Sequence, residues 1–413
     1  MAIVKPFQCV HPAQRVADRV AALPYDVYNR AEATVEVKRE PLSFLKIDRA
    51  ETQFDTSVDT YAPEVYAKAR SLYEEAKAEG IFEKEESAKY YIYELTMNGR
   101  VQSGLVSVAS IDDYVNGVIL RHENTRAEKE ADRIRHVDTL SAQTGPIFLA
   151  YRANQAVKAE TVKAKQNAPL YDFVSPDGIR HRVFEIADPD SIGAIEEAFK
   201  HIDHLYIADG HHRAASAVKV GLKRREEHPD YTGAEEFNYF LSVLFPDDEL
   251  MIMSYNRVLR SLNGYTPEGL LKAIEEAGFE VKPQPSAYQP EEKAVFGLYL
   301  DEKWYSVKTP ERLRNDNPVK GLDVSLLQDL ILEPILGIHD PKTDNNIDFV
   351  GGIRGLAELE KRCREDGKAA FSMYPTSIAE LLAVADAGLL MPPKSTWFEP
   401  KLRSGLFIHE FER

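Results

Sequence analysis

The chain has 413 residues, 44% of them hydrophobic and 29% charged, with a formal net charge of −16 at pH 7. That length is enough for two or three domains, and the composition is that of an ordinary globular protein. The acidic balance excludes long-range attraction to nucleic acid or anionic membrane as the main activity, though a local basic pocket can still bind phosphate. The two cysteines, Cys9 and Cys363, sit in no metal or redox spacing. They exclude a disulfide framework and fit a reducing, cytoplasmic setting; Cys9 stays open as a nucleophile. No signal-peptide pattern and no apolar run of membrane-span length is present.

In chain order, Ile3-Val4 reads as a strand stopped by Pro6, and 14–23 as a short helix. In Leu23-Pro24-Tyr25-Asp26-Val27, Pro24 fixes its own φ and biases Leu23 to extended geometry. Tyr25 and Asp26 are then presented on a defined turn, although plain turn chemistry also explains them. A helix is predicted around Ala31 to Lys38, started by Asn29 or Asn29-Arg30. Alternation over Leu42–Ile47 predicts a strand, and a helix follows from about Tyr61 to a glycine stop at Gly80. Asn98-Gly99 between two β-rich runs predicts a hairpin, with Tyr90, Tyr91 and Tyr93 as part of one sheet face. Ile119-Leu120 then ends in Arg121-His122-Glu123-Asn124-Thr125. Thr125 with Glu128 forms a capping box for a helix from about Arg126 to Ala142. Most of the charges of that helix, from Glu128 to Arg135, read as a solvated face; Arg121, His122 and Glu123 stand apart at a strand end.

Strands at Ile147–Tyr151 and Arg180–Ile186, and a helix capped by Asp190-Ser191, lead to the densest polar cluster. The apolar run from Leu205 ends in Asp209-Gly210-His211-His212-Arg213, and an alanine-rich helix begins. A helix start offers unpaired N–H groups and a partial positive charge, which suits an anion. Arg213 adds a fork of donors; His211 and His212 can donate, accept or bind metal; Asp209 can be a base or hold a cation. The pattern is an anion site beside acid–base chemistry, against the simpler reading of a solvated turn. Ala214, Val218 and Leu222 fall on one helix face.

A strand over 237–245, a helix over 266–278, a hairpin over 294–307 and a helix over 323–332 follow. Alternating strands and helices after residue 347 predict a small parallel α/β layer. Near the end come Lys394, Ser395, Thr396, Lys401 and Ser404, all phosphate-friendly. Gly388 and Lys394-Ser395 have P-loop spacing, but Pro393 stands where a second glycine is needed and has no N–H to give. A P-loop is rejected; a looser anion-binding loop and a tail covering the core both stand. Two domains are expected, 1–255 and 256–413.

The segments Leu23–Val27, Arg121–Thr125, Asp209–Arg213 and Met391–Thr396 together resemble a bacterial family of cytoplasmic proteins, the domain-of-unknown-function family ten-fifteen, over essentially the full length. Asp-Gly-His-His-Arg is also similar to the signature of free-serine kinases in the ParB/sulfiredoxin-like superfamily. This resemblance implies an α/β fold with a mixed sheet: a ParB/sulfiredoxin-like core with insertions plus a smaller C-terminal α/β layer. It implies a kinase that uses ATP or ADP with Mg²⁺ and phosphorylates a small-molecule hydroxyl such as that of free L-serine. His211, His212 and Arg213 would contact the transferring phosphate, and Asp209 would be a catalytic or magnesium-associated acid. Glu123 and Asp26 are the candidate bases. Gly210, Lys394, Ser395, Thr396 and Lys401 would serve the nucleotide; Arg121, His122, Thr125 and Tyr25 would serve the acceptor. No cysteine occupies the turn, so sulfiredoxin chemistry is unsupported, and no basic helix-turn-helix is present for ParB-type DNA work. A metal-assisted hydrolase using His122, Glu123, Asp209, His211 and His212, and a non-catalytic nucleotide or metabolite sensor, are the alternatives. The expected partners are small molecules, without nucleic acid or membrane, and a homodimer is compatible. The three polar loops, with Asp26, are expected to line one cleft.

Overall fold

A computed structural model describes residues 1–125 and 127–412. The chain divides into two compact units, Met1–Leu250 with the segment from Pro400 onward, and Met251–Glu399. The segment from Pro400 thus leaves the expected 256–413 domain. Ser404 bridges to Ala22 and Ile408 to Val10, and His409–Glu410 pairs with Ala142–Gln143. Burial of Leu406, Phe407 and Ile408 there drives the return, which a local pattern does not reveal.

The first unit is built on a nine-stranded mixed sheet. Leu205–Asp209 lies parallel to Ile119–Leu120 and antiparallel to Ile147–Tyr151. Ile147–Tyr151 runs parallel to Tyr239–Pro246. Antiparallel strands Arg100–Ser110, Tyr90–Met97, Arg180–Ile186 and Tyr171–Val174 continue the sheet. The Asn98-Gly99 hairpin forms as predicted, with φ of 51° and 79°, the paired positive values a two-residue hairpin requires. Tyr90, Tyr91 and Tyr93 are all buried. Neighbouring strand residues face opposite sides, so both faces are covered and the expected single tyrosine face is corrected. His211–Glu227 packs against Ala127–Leu140; Arg126, the expected helix start, lies outside the described residues. Ala214 and Val218 are buried in the core shared with the sheet strands, but Leu222 is exposed. The capping box at Asn29 and Glu32 starts helix Arg30–Arg39. The expected strand over Leu42–Ile47 is instead the helical turn Leu45–Asp48. Six residues are too few for alternation to exclude helix, and Phe44, Leu45 and Ile47 are buried in either reading.

The second unit carries a six-stranded sheet, in the order Glu280–Gln284, Lys303–Lys308, Val295–Leu300, Ala369–Met373, Tyr255–Leu259, Ile347–Gly351. Every pairing in it is antiparallel. The predicted parallel layer is therefore corrected. Ile347–Gly351 and Ala369–Met373 do point the same way, but Tyr255–Leu259 inserts between them.

Candidate functional site

Gly210 stands between the strand ending at Asp209 and the helix beginning at His211, with φ of 95°. That left-handed backbone favours glycine. Space gives a second reason: a Cβ at Gly210 would lie 3.0 Å from both Nε and Nη2 of Arg213. Arg213 thus folds back over the turn, and its Nη1 donates to the Pro146 carbonyl at 2.5 Å.

Asp209 is the electrostatic centre. Lys401 Nζ donates to its Oδ2 at 3.0 Å. Burial raises its carboxyl pKa, but Lys401 and Arg213 outweigh that and hold it well below the usual range. Lys401 is the part of the expected 394–404 cluster that reaches the turn, because the chain from Pro400 belongs to this unit. Lys394, Ser395 and Thr396 belong to the other unit. There the Ser395 hydroxyl donates to the Pro392 carbonyl at 2.6 Å, and Ser395 O accepts from Thr376 Oγ1 at 3.0 Å.

Two imidazoles stand behind the turn. His122 and His211 are 3% and 5% exposed, and their rings meet edge to face at 4.6 Å. His122 Nδ1 and His211 Nε2 are buried without a hydrogen-bond partner. Burial pushes the His122 pKa down to about 4, against the opposing pull of the Ile207 carbonyl and Asp209. Burial, then the neighbouring His122, drives His211 well below 6.5. Both rings are therefore neutral at pH 7, so they act as donors or acceptors and not as cations. Glu123 Oε2 lies 3.9 Å from His211 Nδ1. His212 is half-buried beside Glu130. Thr125 Oγ1 donates to Glu130 at 2.7 Å. Exposed Arg121 lies over the Tyr114 ring, 5.3 Å from its centroid.

Tyr25 and Asp26 border a cleft of about 160 Å³. Tyr25, Asp48, Arg133 and His136 form its inner wall and also line a smaller cavity of about 30 Å³ that reaches Arg213. Arg133 Cζ sits 3.9 Å from the Tyr25 ring centroid, close enough for cation–π attraction. Burial pushes the Tyr25 phenol up to about 12. His136 Nε2 and Asp48 Oδ1 approach to 3.3 Å, and Thr144 donates to the same oxygen at 3.0 Å. Arg133 and Glu130, in a charge run read from sequence as mostly solvated, are both buried. The signal was helical spacing: 133, 136 and 140 share the face that carries Leu140 into the core. Asp48, Arg133 and His136 are cleft-lining residues that motif reading missed.

Geometry thus groups Asp209, Gly210, His211, Arg213, His122, Glu123 and Lys401 at one turn, and joins Tyr25 to that turn through Arg213. Asp26 lies in the adjoining cleft. Among the described residues, no group of three or more His, Cys, Asp or Glu side chains is arranged to hold a metal ion.

The fold is thus a mixed-sheet α/β unit with a strand–turn–helix polar centre. The chain belongs to the family described as protein of unknown function (DUF1015), which it matches over residues 4–325. No curated protein matches it. Among solved structures it is similar to a free serine kinase in complex with AMP, at 13% identity, covering 73% of this chain and 91% of that one with a TM-score of 0.35. A conserved hypothetical protein from Pyrococcus furiosus is similar at 14% identity, 75% and 95% coverage, and a TM-score of 0.35. SbnI with a C-terminal truncation from Staphylococcus aureus is similar at 11% identity, 73% and 87% coverage, and a TM-score of 0.39. Likenesses of that grade carry no argument for function. No helix among the described residues is long and apolar enough to cross a membrane.

Proposed function

We propose that the first unit is a phosphotransferase that moves a phosphoryl group from ATP or ADP to a small-molecule hydroxyl, with free L-serine as the first acceptor to test. The observation that carries this reading is the Asp209–Arg213 turn: an ionised carboxylate flanked by Lys401 and Arg213 at a helix start. Phosphoryl transfer needs alignment and charge neutralisation more than covalent catalysis. Arg213 and the first N–H groups of the helix bind phosphate oxygens. His211, neutral and buried, adds a hydrogen bond without adding charge. His212, at the same helix start, is assigned to the phosphate as well. The sequence likeness of Asp-Gly-His-His-Arg to the free-serine kinases agrees with these roles.

Mg²⁺ fits the donor chemistry here. It is bound by one or two carboxylates together with phosphate oxygens, and Asp209 supplies an ionised carboxylate. The metal would neutralise phosphate charge. The acceptor hydroxyl loses its proton to Glu123 or Asp26 as its oxygen bonds phosphorus, and ADP or AMP leaves. Glu123 is favoured by its place beside His211, and Asp26 by the cleft it borders. Arg121, His122, Thr125 and Tyr25 are assigned to the acceptor.

The test is a metabolite panel offered with ATP and, separately, ADP, scored for phosphorylated products by mass spectrometry. Nucleotide binding with no product in any acceptor would overturn the kinase reading in favour of a sensor. Glu123→Gln and Asp26→Asn, assayed separately, assign the base: the true one loses roughly 10²–10⁴-fold in kcat.

A further inference from the structure

Among the described residues, Arg257 is a buried charge with no carboxylate beside it. It lies on the inner strand Tyr255–Leu259 of the second unit and is 3% exposed. Its guanidinium donates to two backbone carbonyls, Tyr255 and Lys394, the latter at 3.2 Å. Phe349 lies beneath it, 5.3 Å to the ring centroid. Among the described residues no carboxylate pairs with it. The influences on its charge are burial, which lowers its pKa to about 10, and the Tyr255 phenol, which opposes that. It stays cationic at neutral pH. A buried charge without a counter-charge costs several kcal/mol, and an apolar side chain of similar volume would avoid that cost.

A second cation stands beside it. Lys394 is exposed, and its Nζ lies 5.5 Å from the centroid of the Tyr255 ring. Trp397 meets Tyr255 edge to face at 5.0 Å. The nearby acid of that segment, Glu399, is engaged by the Trp397 indole N–H at 2.9 Å. The turn that presents Lys394 is fixed: Lys394 has φ of 61°, and Ser395 donates to the Pro392 carbonyl at its base. A guanidinium over Phe349 and an ammonium over Tyr255 thus flank two neighbouring rings 5.9 Å apart, and among the described residues no carboxylate pairs with either cation. Two cations match an oxyanion of more than one negative charge, and a guanidinium suits the spacing of phosphate oxygens.

We propose that the second unit holds an anion site of its own, in which Arg257 and Lys394 bind a phosphate-class oxyanion against Tyr255 and Trp397. The site does not depend on the kinase reading of the first unit.

The chain has two tryptophans, so Trp304→Phe leaves Trp397 as a single reporter beside the site. In full-length protein carrying that change, inorganic pyrophosphate should shift Trp397 emission saturably, and succinate at equal ionic strength should not. Lys394→Ala should weaken pyrophosphate at least tenfold, and Arg257→Met should abolish the response while leaving the ligand-free protein at least as heat-stable. Arg213→Ala, in the first unit, should leave the response intact. The proposal is overturned if pyrophosphate gives no saturable change, if succinate matches it, or if the response survives Lys394→Ala unweakened. It is equally overturned if Arg213→Ala removes the response. Arg257→Met that fails to fold assigns Arg257 a structural role, and Lys394→Ala then decides the site. Turnover plays no part in these readouts, so loss of the kinase reading would leave them standing.

Discussion

Asp209 and Arg257 are both charges held at the end or middle of a sheet strand, and the two units treat them in opposite ways. Asp209 is matched by two cations on its own unit, one of them carried back from the far end of the chain. Among the described residues, Arg257 has backbone carbonyls and an aromatic ring beside it but no carboxylate. The first arrangement is pre-organised: its charges are fixed before any ligand arrives, as phosphoryl transfer requires. The second is incomplete until an anion completes it. Charge balance around a buried group is therefore more informative than its sequence motif, since Asp209 lies in a conspicuous motif and Arg257 in none.

Removing Arg213 should break the pre-organised side most severely. Arg213→Ala deletes the fork that folds over Gly210 and should lower kcat for phosphoryl transfer by roughly 10²–10³-fold. Thermal melting should move little, because the guanidinium's hydrogen bond within the fold goes to a backbone carbonyl, that of Pro146. Gly210→Ala tests the same turn by a different route, forcing a Cβ into the Arg213 guanidinium at a left-handed φ. It should lose activity and also stability, by about 1–2 kcal/mol.

The paired imidazoles come next. His122 is neutral in the folded protein, with its pKa lowered from 6.5 to about 4. The unfolded chain binds a proton more readily, so the stability from keeping the ring neutral is complete above pH 6.5. It declines as pH falls toward 4, by about 3 kcal/mol in total. His211 is displaced the same way and steepens the decline. His122→Gln should flatten the acid limb of a denaturant-melt series between those pH values. An unchanged limb would mean that the ring is not held neutral.

Lys401→Met should have a smaller effect, with the opposite dependence on pH. Asp209 has a folded pKa below its unfolded value, so the stability of its pairing is present above the normal carboxylate range and is lost as pH falls through the folded value. The variant should be destabilised on the order of 1 kcal/mol at neutral pH, and the deficit should shrink in acid. A deficit that grows in acid would refute the pairing.

Some of this was legible in the sequence because the physics is local. The Asn98-Gly99 hairpin, the Asn29 cap and the glycine at 210 each follow from one or two residues whose backbone preferences leave few choices. The Asp209–Arg213 turn was legible for the same reason. What escaped depends on distant chain segments. Lys401 stands out by its chemistry, but nothing local shows it reaching Asp209 while Lys394, a few residues earlier, belongs to the other unit. Arg133 and Glu130 sit in a run of charges, and only packing of Ala127–Leu140 under His211–Glu227 and Pro63–Ala78 shows which of them turn inward. The strand Tyr255–Leu259 separates two strands that read as a parallel pair, an insertion that no pattern within 347–373 can signal.

The smallest expected effect concerns the turn that presents Lys394. Ser395 is 5% exposed, and its hydroxyl proton goes to the Pro392 carbonyl at 2.6 Å. Ser395→Ala leaves that carbonyl without this donor, a loss of about 1 kcal/mol. Lys394 is held at φ of 61°, a strain of roughly 1–3 kcal/mol for a residue with a Cβ, and a loosened turn releases part of it. The two terms oppose, so the melting temperature should fall by only a degree or two. Pyrophosphate affinity reports the same change more sharply, because Lys394 then samples geometries away from Arg257. A several-fold weakening with Arg257 intact is expected. Affinity equal to the parent protein's would show that the ammonium finds the anion without help from the turn, and would leave Arg257 as the sole fixed element of that site.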